Sequence, residues 1–276
     1  MTDSVDERWF VALDIDGTIV SDYRGDLNPW TVREVSRLVD EGHEVTIATG
    51  RSVPATLPVL AQLNLTPQFV VCANGAIILH RDESEESGYR RGDIETFNPN
   101  EVLATIHRKL PTAHYAVEDE TGLLKYLGWF PEAGLDVFTQ EVHSLEALMT
   151  EEATRVVVIS PTDQEREFQE SIATLGLHQV SYSIGYTSWL EIGPFGVNKA
   201  TALEKVRASH GIHRSRVMAV GDGRNDIQML EWAAEFGRGV AMGQAPDEVR
   251  IAANEVTHAE ADGGLPAVLA TLTARS

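Results

Sequence analysis

Two aspartates stand two positions apart where an apolar run near the start of the chain ends. The run Trp9 to Leu13 leads directly into Asp14-Ile15-Asp16-Gly17-Thr18. Side chains two apart on an extended strand point the same way, so both carboxylates can face one ligand, and Gly17 permits a sharp turn after them. The pattern favours a bound cation; the alternative is a turn or a helix cap, where Asp and Gly are also common.

Three further polar segments strengthen the case for a ligand site. Thr49-Gly50-Arg51 follows the apolar run Val45 to Ala48, and Gly221-Asp222-Gly223-Arg224-Asn225-Asp226 follows Val217 to Val220. In an open parallel sheet, ligands bind beyond the carboxyl ends of the strands, where these turns would gather. The third segment, Gly196-Val197-Asn198-Lys199, begins a helix, and taken alone its lysine is typical of an exposed helix residue.

The residue types in these segments indicate phosphoryl chemistry. Asp14, Asp222 and Asp226 would supply hard oxygen ligands suited to Mg²⁺, which is commonly shared with a substrate phosphate. Carboxylates alone would repel a phosphate, but Mg²⁺ and Lys199 turn that repulsion into attraction. The Thr49 hydroxyl and the backbone N–H groups of the turns can then hold the phosphoryl oxygens.

Two known motifs partly match these segments, and the sequence excludes both. The segment that starts at Gly221 begins like a dinucleotide fingerprint, but Asp226 stands where the third glycine should be. Asp14-Ile15-Asp16-Gly17 is too short for a calcium loop, whose glycine comes at the sixth position. The sequence has no Gly-Lys-Ser/Thr phosphate loop and no Gly-x-Ser-x-Gly elbow, and its nine histidines include no pair at the helical spacing of metal ligands.

The elements that must position these residues follow from the apolar pattern. Short apolar runs without polar alternation are typical of strands buried on both faces of a parallel sheet covered by helices. The runs are Trp9 to Leu13, Val45 to Ala48, Phe69 to Ala73, Val217 to Val220 and Gly239 to Met242. Helices between them have clear limits: Asn28 and Pro29 begin one that ends before Gly42, and a second with an apolar stripe at Ile227, Leu230 and Ala234 ends before Gly237.

The middle of the chain has a different pattern. The polar stretch Arg81 to Asp93 is typical of a hairpin tip or a linker. After it we predict a helix that begins at Asn98-Pro99, several strands, and a second helix that begins at the capping box Thr162 to Glu165. We therefore predict an α/β fold: a Rossmann-like, mostly parallel sheet core with helices on both faces, formed by residues 1–80 and 191–276. Residues 81–190 form an inserted α+β cap domain.

The composition and charge of the chain argue against two classes of binding partner, nucleic acids and membranes. The chain has 276 residues and a formal net charge of −20, and it lacks the Lys/Arg runs that non-specific nucleic-acid binding needs. The apolar stretch Phe69 to Leu79 is too short for a membrane helix, and the acidic N-terminus is unlike a secretion signal. Cys72 is the only cysteine, which fits a reducing cytoplasm. We expect a cytoplasmic protein with no nucleic-acid or membrane partner, and its oligomeric state stays open.

Taken in order, Asp14-Ile15-Asp16-Gly17-Thr18, Thr49-Gly50-Arg51, Lys199 and Gly221-Asp222-Gly223-Arg224-Asn225-Asp226 resemble the motif set of the haloacid dehalogenase (HAD) superfamily. The insert of about 110 residues between the second motif and the lysine, preceded by Asn74-Gly75-Ala76, resembles the Cof-like branch, whose cap domain is inserted there. The motifs cover the core, and the cap matches only by position, length and mixed α/β pattern.

The resemblance implies a role for each matching residue. Asp14 would be the nucleophile that becomes an aspartyl phosphate, and Asp16 would protonate the leaving alcohol and later deprotonate the attacking water. Thr49 and Lys199 would bind the transferring phosphoryl group. Mg²⁺ would be held by the carboxylates of Asp14, Asp222 and Asp226 and the backbone carbonyl of Asp16. The candidate substrate contacts are Gly50, Arg51, Asn74 and Asn225, the last of which would also orient the metal cluster.

These roles predict a Mg²⁺-dependent phosphatase for a small phosphorylated metabolite, most plausibly a sugar phosphate. Two alternatives stay open: a phosphomutase of similar build, and a non-catalytic phosphosugar-binding regulator, which would not need Asp16. A closing cap can exclude water and select the leaving group. The candidate cap residues are the polar or aromatic side chains His114, Tyr126, Trp129, Tyr182, Tyr186 and Trp189.

Overall fold

Parallel strands form the centre of the core. The computed structural model describes residues 8–21, 27–130, 139–160, 170, 172, 180–184 and 188–272. The strands of the central sheet are β1 (Phe10–Leu13), β2 (Glu44–Ile47), β12 (Val217–Gly221), β13 (Arg238–Ala241) and β14 (Glu255–Val256). Their order is β14-β13-β12-β1-β2 and every pairing is parallel. The carboxyl ends of β1, β2 and β12 therefore lie at one edge, as the sequence predicted.

A small antiparallel sheet continues the core beside β2. Its strands are β3 (Phe69–Cys72), β4 (Ile77–Arg81) and β5 (Tyr89–Ile94). A parallel bridge between Ala48 and Val71 joins β3 to the end of β2. The turn between β4 and β5 lies in the stretch predicted as a hairpin tip. β4 was not predicted, because its residues continue the apolar stretch of β3 and only Asn74 and Gly75 interrupt that stretch.

Helices cover both faces of the core sheet. They are α1 (Pro29–Asp40), α2 (Val53–Leu63), α4 (Lys199–His210), α5 (Ile227–Ala234), α6 (Asp247–Ala252) and α7 (Gly264–Leu269). Alternate residues of β1 point to opposite faces: Leu13 packs with α1, α2 and α7, and Ala12 packs with α4 and α5. As predicted, Asn28 caps α1, where its side chain accepts a hydrogen bond from the Trp30 backbone N–H.

The inserted unit is built on a six-stranded sheet. Its strands are β6 (His114–Asp119), β7 (Leu124–Leu127), β8 (Thr139–Glu141), β9 (Ala153–Ile159), β10 (Val180–Ile184) and β11 (Trp189–Pro194). They run in the order β10-β11-β9-β6-β7-β8, antiparallel except for the β7–β8 pair. One face packs on α3 (Asn100–Lys109) through Leu103 and Ile106.

The predicted fold class, a parallel α/β core with an inserted α+β cap, is confirmed. The domain limits at residues 80 and 190 stay predictions. The helix predicted after Thr162 lies outside the described residues except at Glu170 and Ile172. Among the described helices, none has both the length and the apolar composition needed to cross a bilayer.

Candidate active site

Three buried carboxylates meet at the carboxyl edge of the core sheet. Asp14 follows β1, and Asp222 and Asp226 follow β12, and one oxygen from each lies within 4.8 Å of the others. The backbone N–H of Asp14 donates to the Val220 carbonyl at 3.0 Å, which fixes the two strand ends side by side. Residues far apart in sequence thus form one cluster, because β1 and β12 are neighbours.

Lys199 is the cationic partner of this cluster. Its side chain is fully buried at the first turn of α4, and Nζ donates to Asp14 Oδ1 at 2.7 Å and to Asp226 Oδ1 at 2.6 Å. Burial alone would lower the pKa of Lys199, but the adjacent carboxylates of Asp14 and Asp226 outweigh it and raise the pKa. The lysine is therefore an ammonium inside the site, in contrast to the exposed helix residue that its local sequence indicates.

The charges of the cluster fit a divalent cation. Burial raises the pKa of Asp14, and the negative charges of Asp226 and Asp222 raise it further, while Lys199 opposes them. Three carboxylates are more than one ammonium can neutralise, and carboxylate oxygens are the ligands that hard cations prefer. The donor set of Asp14, Asp222 and Asp226 thus suits a hard divalent cation.

Glycines let the loops approach closely enough to form the cluster. Gly17 has a φ of +74°, and a Cβ there would lie 2.0 Å from an Asp222 carboxylate oxygen. A Cβ at Gly221 would lie 2.4 Å from the Asp226 carboxyl carbon. Asp226 Oδ2 accepts from the backbone N–H groups of Asp222 at 3.0 Å and Gly223 at 2.9 Å, so the loop after β12 fixes that carboxylate.

Asp16 does not join the three carboxylates. Its carboxylate forms a two-pronged ion pair with Arg51, whose Nε lies 2.9 Å and Nη2 2.5 Å from its oxygens. The Asp16 side chain is 44% exposed, whereas Arg51 is buried. Of the two aspartates that could face one ligand, only Asp14 faces the cluster, and Arg51, a predicted substrate contact, binds Asp16.

The remaining predicted residues lie on adjoining loops. Thr49 is buried after β2, and its hydroxyl accepts from the Arg51 backbone N–H at 3.1 Å. The backbone N–H of Asn74 donates to the Thr49 carbonyl at 2.9 Å, and Asn225 Nδ2 donates to Asn74 Oδ1 at 3.0 Å. The four motifs and the Asn74 turn therefore meet at one place, as predicted.

A cavity of about 220 Å³ separates the core from the cap beside this site. Asn74 and Asn225 line it from the core, and Arg155, Tyr182 and Glu191 line it from the cap. The cavity adjoins the site through Asn225, which precedes Asp226 in the chain.

The cap residues predicted to select the leaving group do not lie together at one place. Tyr126 and Trp189 pack in the apolar cluster around Phe130 on one face of the cap sheet. Tyr182 is half-exposed at the cavity, and His114 hydrogen-bonds the Trp129 carbonyl at 3.0 Å. Tyr186 lies outside the described residues.

Four polar residues around the site were not predicted from the sequence. They are Gln244 in the core and Glu118, Arg155 and Glu191 in the cap. Gln244 Nε2 donates to the Gly17 carbonyl at 2.5 Å and Asp222 Oδ2 at 3.3 Å. The available signal was position: Gln244 follows the end of β13, and Arg155 and Glu191 are each the only charged residue of a mostly apolar strand.

The chain has clear relatives among known proteins. The family model of haloacid dehalogenase-like hydrolases matches residues 11–269. A Bacillus subtilis protein named 5-amino-6-(5-phospho-D-ribitylamino)uracil phosphatase YitU is 28% identical over 275 residues, which cover 93% of this chain and 94% of the relative. The HMP-PP phosphatase of Serratia proteamaculans is 27% identical over 250 residues, with 87% and 85% covered.

Solved structures share the fold along the whole chain. The HAD subclass IIB sugar phosphatase BT4131 superposes with a TM-score of 0.77 at 22% identity, covering 95% of this chain and 98% of its own. A haloacid dehalogenase-like hydrolase from B. subtilis gives a TM-score of 0.77 at 20% identity, with 96% and 100% covered. The core with an inserted cap is therefore the architecture of these proteins too.

Proposed function

The chain belongs to the haloacid dehalogenase-like hydrolase family and is a phosphatase of small phosphorylated metabolites, and from that premise we propose that it hydrolyses phosphomonoesters with Mg²⁺ through an aspartyl phosphate. The observation that carries the proposal is the meeting of Asp14, Asp222 and Asp226 with Lys199 at one edge of the core sheet. A nucleophile, a cation site and a phosphate-binding ammonium thereby share one position.

The metal site would use Asp14, Asp222 and Asp226, with the Asp16 backbone carbonyl as a further ligand. Bound Mg²⁺ would neutralise carboxylate charge and polarise a phosphoryl oxygen. Lys199 and the Thr49 hydroxyl would hold the other phosphoryl oxygens.

The reaction would proceed in two displacements at phosphorus. In the first, a carboxylate oxygen of Asp14 bonds to phosphorus, the ester P–O bond breaks, and Asp16, protonated and released from Arg51, gives its proton to the leaving oxygen. In the second, a water oxygen bonds to phosphorus, Asp16 takes the proton of the water, and the bond to Asp14 breaks to release phosphate. The ion pair with Arg51 would orient Asp16 between these transfers.

The proposed substrate is a sugar phosphate or a related phosphorylated polyol. The cavity beside the site supports this choice, because Ser181, Tyr182 and Gln228 line it with groups that hydrogen-bond hydroxyls. Two relatives agree with it in kind: the B. subtilis protein is named for a phosphorylated ribityl compound, and BT4131 is described as a sugar phosphatase.

A substrate panel tests the proposal. Phosphate release is measured with Mg²⁺ and with EDTA on hexose and pentose phosphates, 5-amino-6-(5-phospho-D-ribitylamino)uracil and HMP-PP, and the substrates are ranked by kcat/KM. We expect Mg²⁺-dependent release, with a polyol or sugar ester first. Conversion of a hexose 1-phosphate into the 6-phosphate without free phosphate would instead identify a mutase, and no turnover on any ester would favour a binding protein.

The covalent step has its own test in Asp14→Asn. An amide cannot replace the carboxylate as nucleophile, so we expect kcat to fall by at least about 10³-fold. The matched control is Asp40→Asn on the exposed side of α1, which should retain full activity. Equal turnover by Asp14→Asn and wild type would overturn the aspartyl phosphate.

A further inference from the structure

The cap contacts the active-site loops through two charged side chains. Arg155 Nη1 donates to the Gly50 carbonyl at 3.2 Å, and a Glu191 carboxylate oxygen accepts from Asn74 Nδ2. A Cβ at Gly50 would lie 2.7 Å from Glu191 Oε2, so the missing side chain is what lets the carboxylate approach. A cap carboxylate therefore rests directly on the loops after β2 and β3.

This carboxylate fixes the orientation of two amides in series. An ionised Glu191 can only accept hydrogen bonds, so Asn74 must turn its NH₂ group toward the cap. Its Oδ1 then faces Asn225 and accepts from Asn225 Nδ2 at 3.0 Å. Asn225 is left with Oδ1 pointing toward Gly223, where a Cβ would lie 2.5 Å from that oxygen. An acceptor in the cap thus determines which atom Asn225 presents to the loop of Asp226.

The backbone of Asn74 is held in one conformation, so the main freedom of this residue is the direction in which its side-chain amide is turned. Ala73 and Asn74 have φ values of +49° and +52°, a left-handed region that residues other than glycine rarely adopt. The turn is held there because the Ala73 N–H donates to the Arg51 carbonyl at 3.0 Å and the Asn74 N–H to the Thr49 carbonyl at 2.9 Å. Strained turns of this kind concentrate at functional sites. The side-chain partners alone decide how the amide is turned.

Glu191 is itself held in place by the cap. Trp189 Nε1 donates to Glu191 Oε1 at 3.2 Å, and Arg155 Nη1 lies 3.9 Å from the same oxygen. Arg155 is buried and its Nε donates to Glu118 Oε2 at 2.8 Å. The carboxylate is therefore placed by a connected set of cap side chains and can act as a fixed reference for the core loops.

We propose that Glu191 is a positioning residue, which through Asn74 sets the amide orientation of Asn225 beside the metal-binding loop. The inference rests on the phosphatase function proposed above and adds a role for the cap that is independent of the leaving group. Because Glu191 acts on the phosphoryl end of the site, its loss lowers kcat by the same factor for every substrate and leaves KM nearly unchanged.

The test exchanges the amide and the carboxylate. Four variants, Glu191→Ala, Glu191→Gln, Asn74→Asp and the double variant Glu191→Gln/Asn74→Asp, are compared with wild type on 4-nitrophenyl phosphate and a sugar phosphate. Misplaced groups can cost about 10²-fold, so we expect kcat losses of about 10- to 100-fold for Glu191→Ala and for Asn74→Asp, which sets two acceptors face to face. Glutamine can still accept, so Glu191→Gln should lose only about two- to five-fold.

The double variant decides between positioning and a general structural role. Its new glutamine amide can donate to its new aspartate carboxylate, which still accepts from Asn225, so kcat should recover by at least about 10-fold over Asn74→Asp. Glu120→Gln, an exposed cap position, is the control and should match wild type. Melting temperatures are recorded for all the proteins.

Three results would overturn the proposal while the phosphatase function stands: no recovery in the double variant, a Glu191→Ala kcat equal to that of the control, or losses that differ strongly between the two substrates. Absence of activity in wild type with Mg²⁺ would instead refute the proposed function itself.

Discussion

Core and cap both contain buried carboxylates, but the two regions balance the negative charge differently. In the core, three aspartates meet the ammonium of Lys199, which cannot neutralise them all. In the cap, Glu118 lies between two guanidinium groups, 2.8 Å from Arg155 of the cap and 3.1 Å from Arg91 on β5 of the core. A buried excess of one sign is costly unless a ligand neutralises it, whereas a balanced set can hold groups in place without one. The excess negative charge of the core cluster therefore fits cation binding, whereas the balanced charges of the cap fit a positioning role.

The largest effect should come from removing the cation of the core. Lys199→Met leaves three buried carboxylates without their ammonium, and breaking such a buried pair costs about 3–5 kcal/mol of unfolding free energy. Urea denaturation in EDTA measures this loss. The control on the same helix is Lys205→Met, whose exposed pair with Glu95 should be worth about 0–1 kcal/mol. Similar losses in both variants would contradict the imbalance argued for the core.

Removing a carboxylate should have opposite consequences on the two sides. Glu118→Gln removes the carboxylate that pairs with Arg155 Nε in the buried cap, so we expect a loss of about 3 kcal/mol in unfolding free energy. Asp14→Asn removes one of three mutually repelling charges, so in EDTA its stability should equal or exceed that of wild type. Equal destabilisation by both substitutions would show that the core cluster is balanced like the cap.

Metal should stabilise the core through the same excess charge. A ligand at 100 times its Kd stabilises the folded state by about 2.7 kcal/mol, and we expect a rise of that size when wild type in EDTA is titrated with Mg²⁺. Asp226→Asn should lose most of this rise, while Glu118→Gln should keep it, because its site is in the cap. A melting temperature that does not respond to Mg²⁺ would contradict the cation site.

The same contrast explains what could be predicted from the sequence. The family, the parallel core with its inserted cap, and the phosphatase activity were predicted and are confirmed. They were accessible because Asp14, Thr49 and Asp222 each follow directly on an apolar strand, so chain order and spacing carry the information. The roles of the individual residues stay predictions.

The contacts between the cap and the core loops could not be predicted from chain order and spacing. Glu191 and Arg155 are single charged residues within strands, and their partners Asn74 and Gly50 belong to another domain far earlier in the chain. Nothing in local periodicity states which core loop a cap strand will meet, because docking of the two units decides it. The pairing of Asp16 with Arg51 has the same origin, since strand alternation gives a side chain's direction but not its partner.

That pair provides the smallest and most specific prediction. Asp16 lies in the core, but the guanidinium of Arg51 balances its charge, as guanidinium groups balance the cap carboxylates. Changing Arg51 should therefore affect the geometry of Asp16 more than the charge of the site. Arg51→Lys keeps the charge and loses the two-pronged contact, which a single ammonium cannot reproduce. We expect kcat to fall by about 10-fold, well short of the roughly 10²- to 10⁴-fold that general acid–base catalysis is worth. The stability gained from Mg²⁺ should be unchanged, because the carboxylate cluster keeps its ligands. A loss of Mg²⁺ response in Arg51→Lys would mean that Asp16 and the cluster form one electrostatic unit, and the distinction between balanced and unbalanced carboxylates would then fail within the core itself.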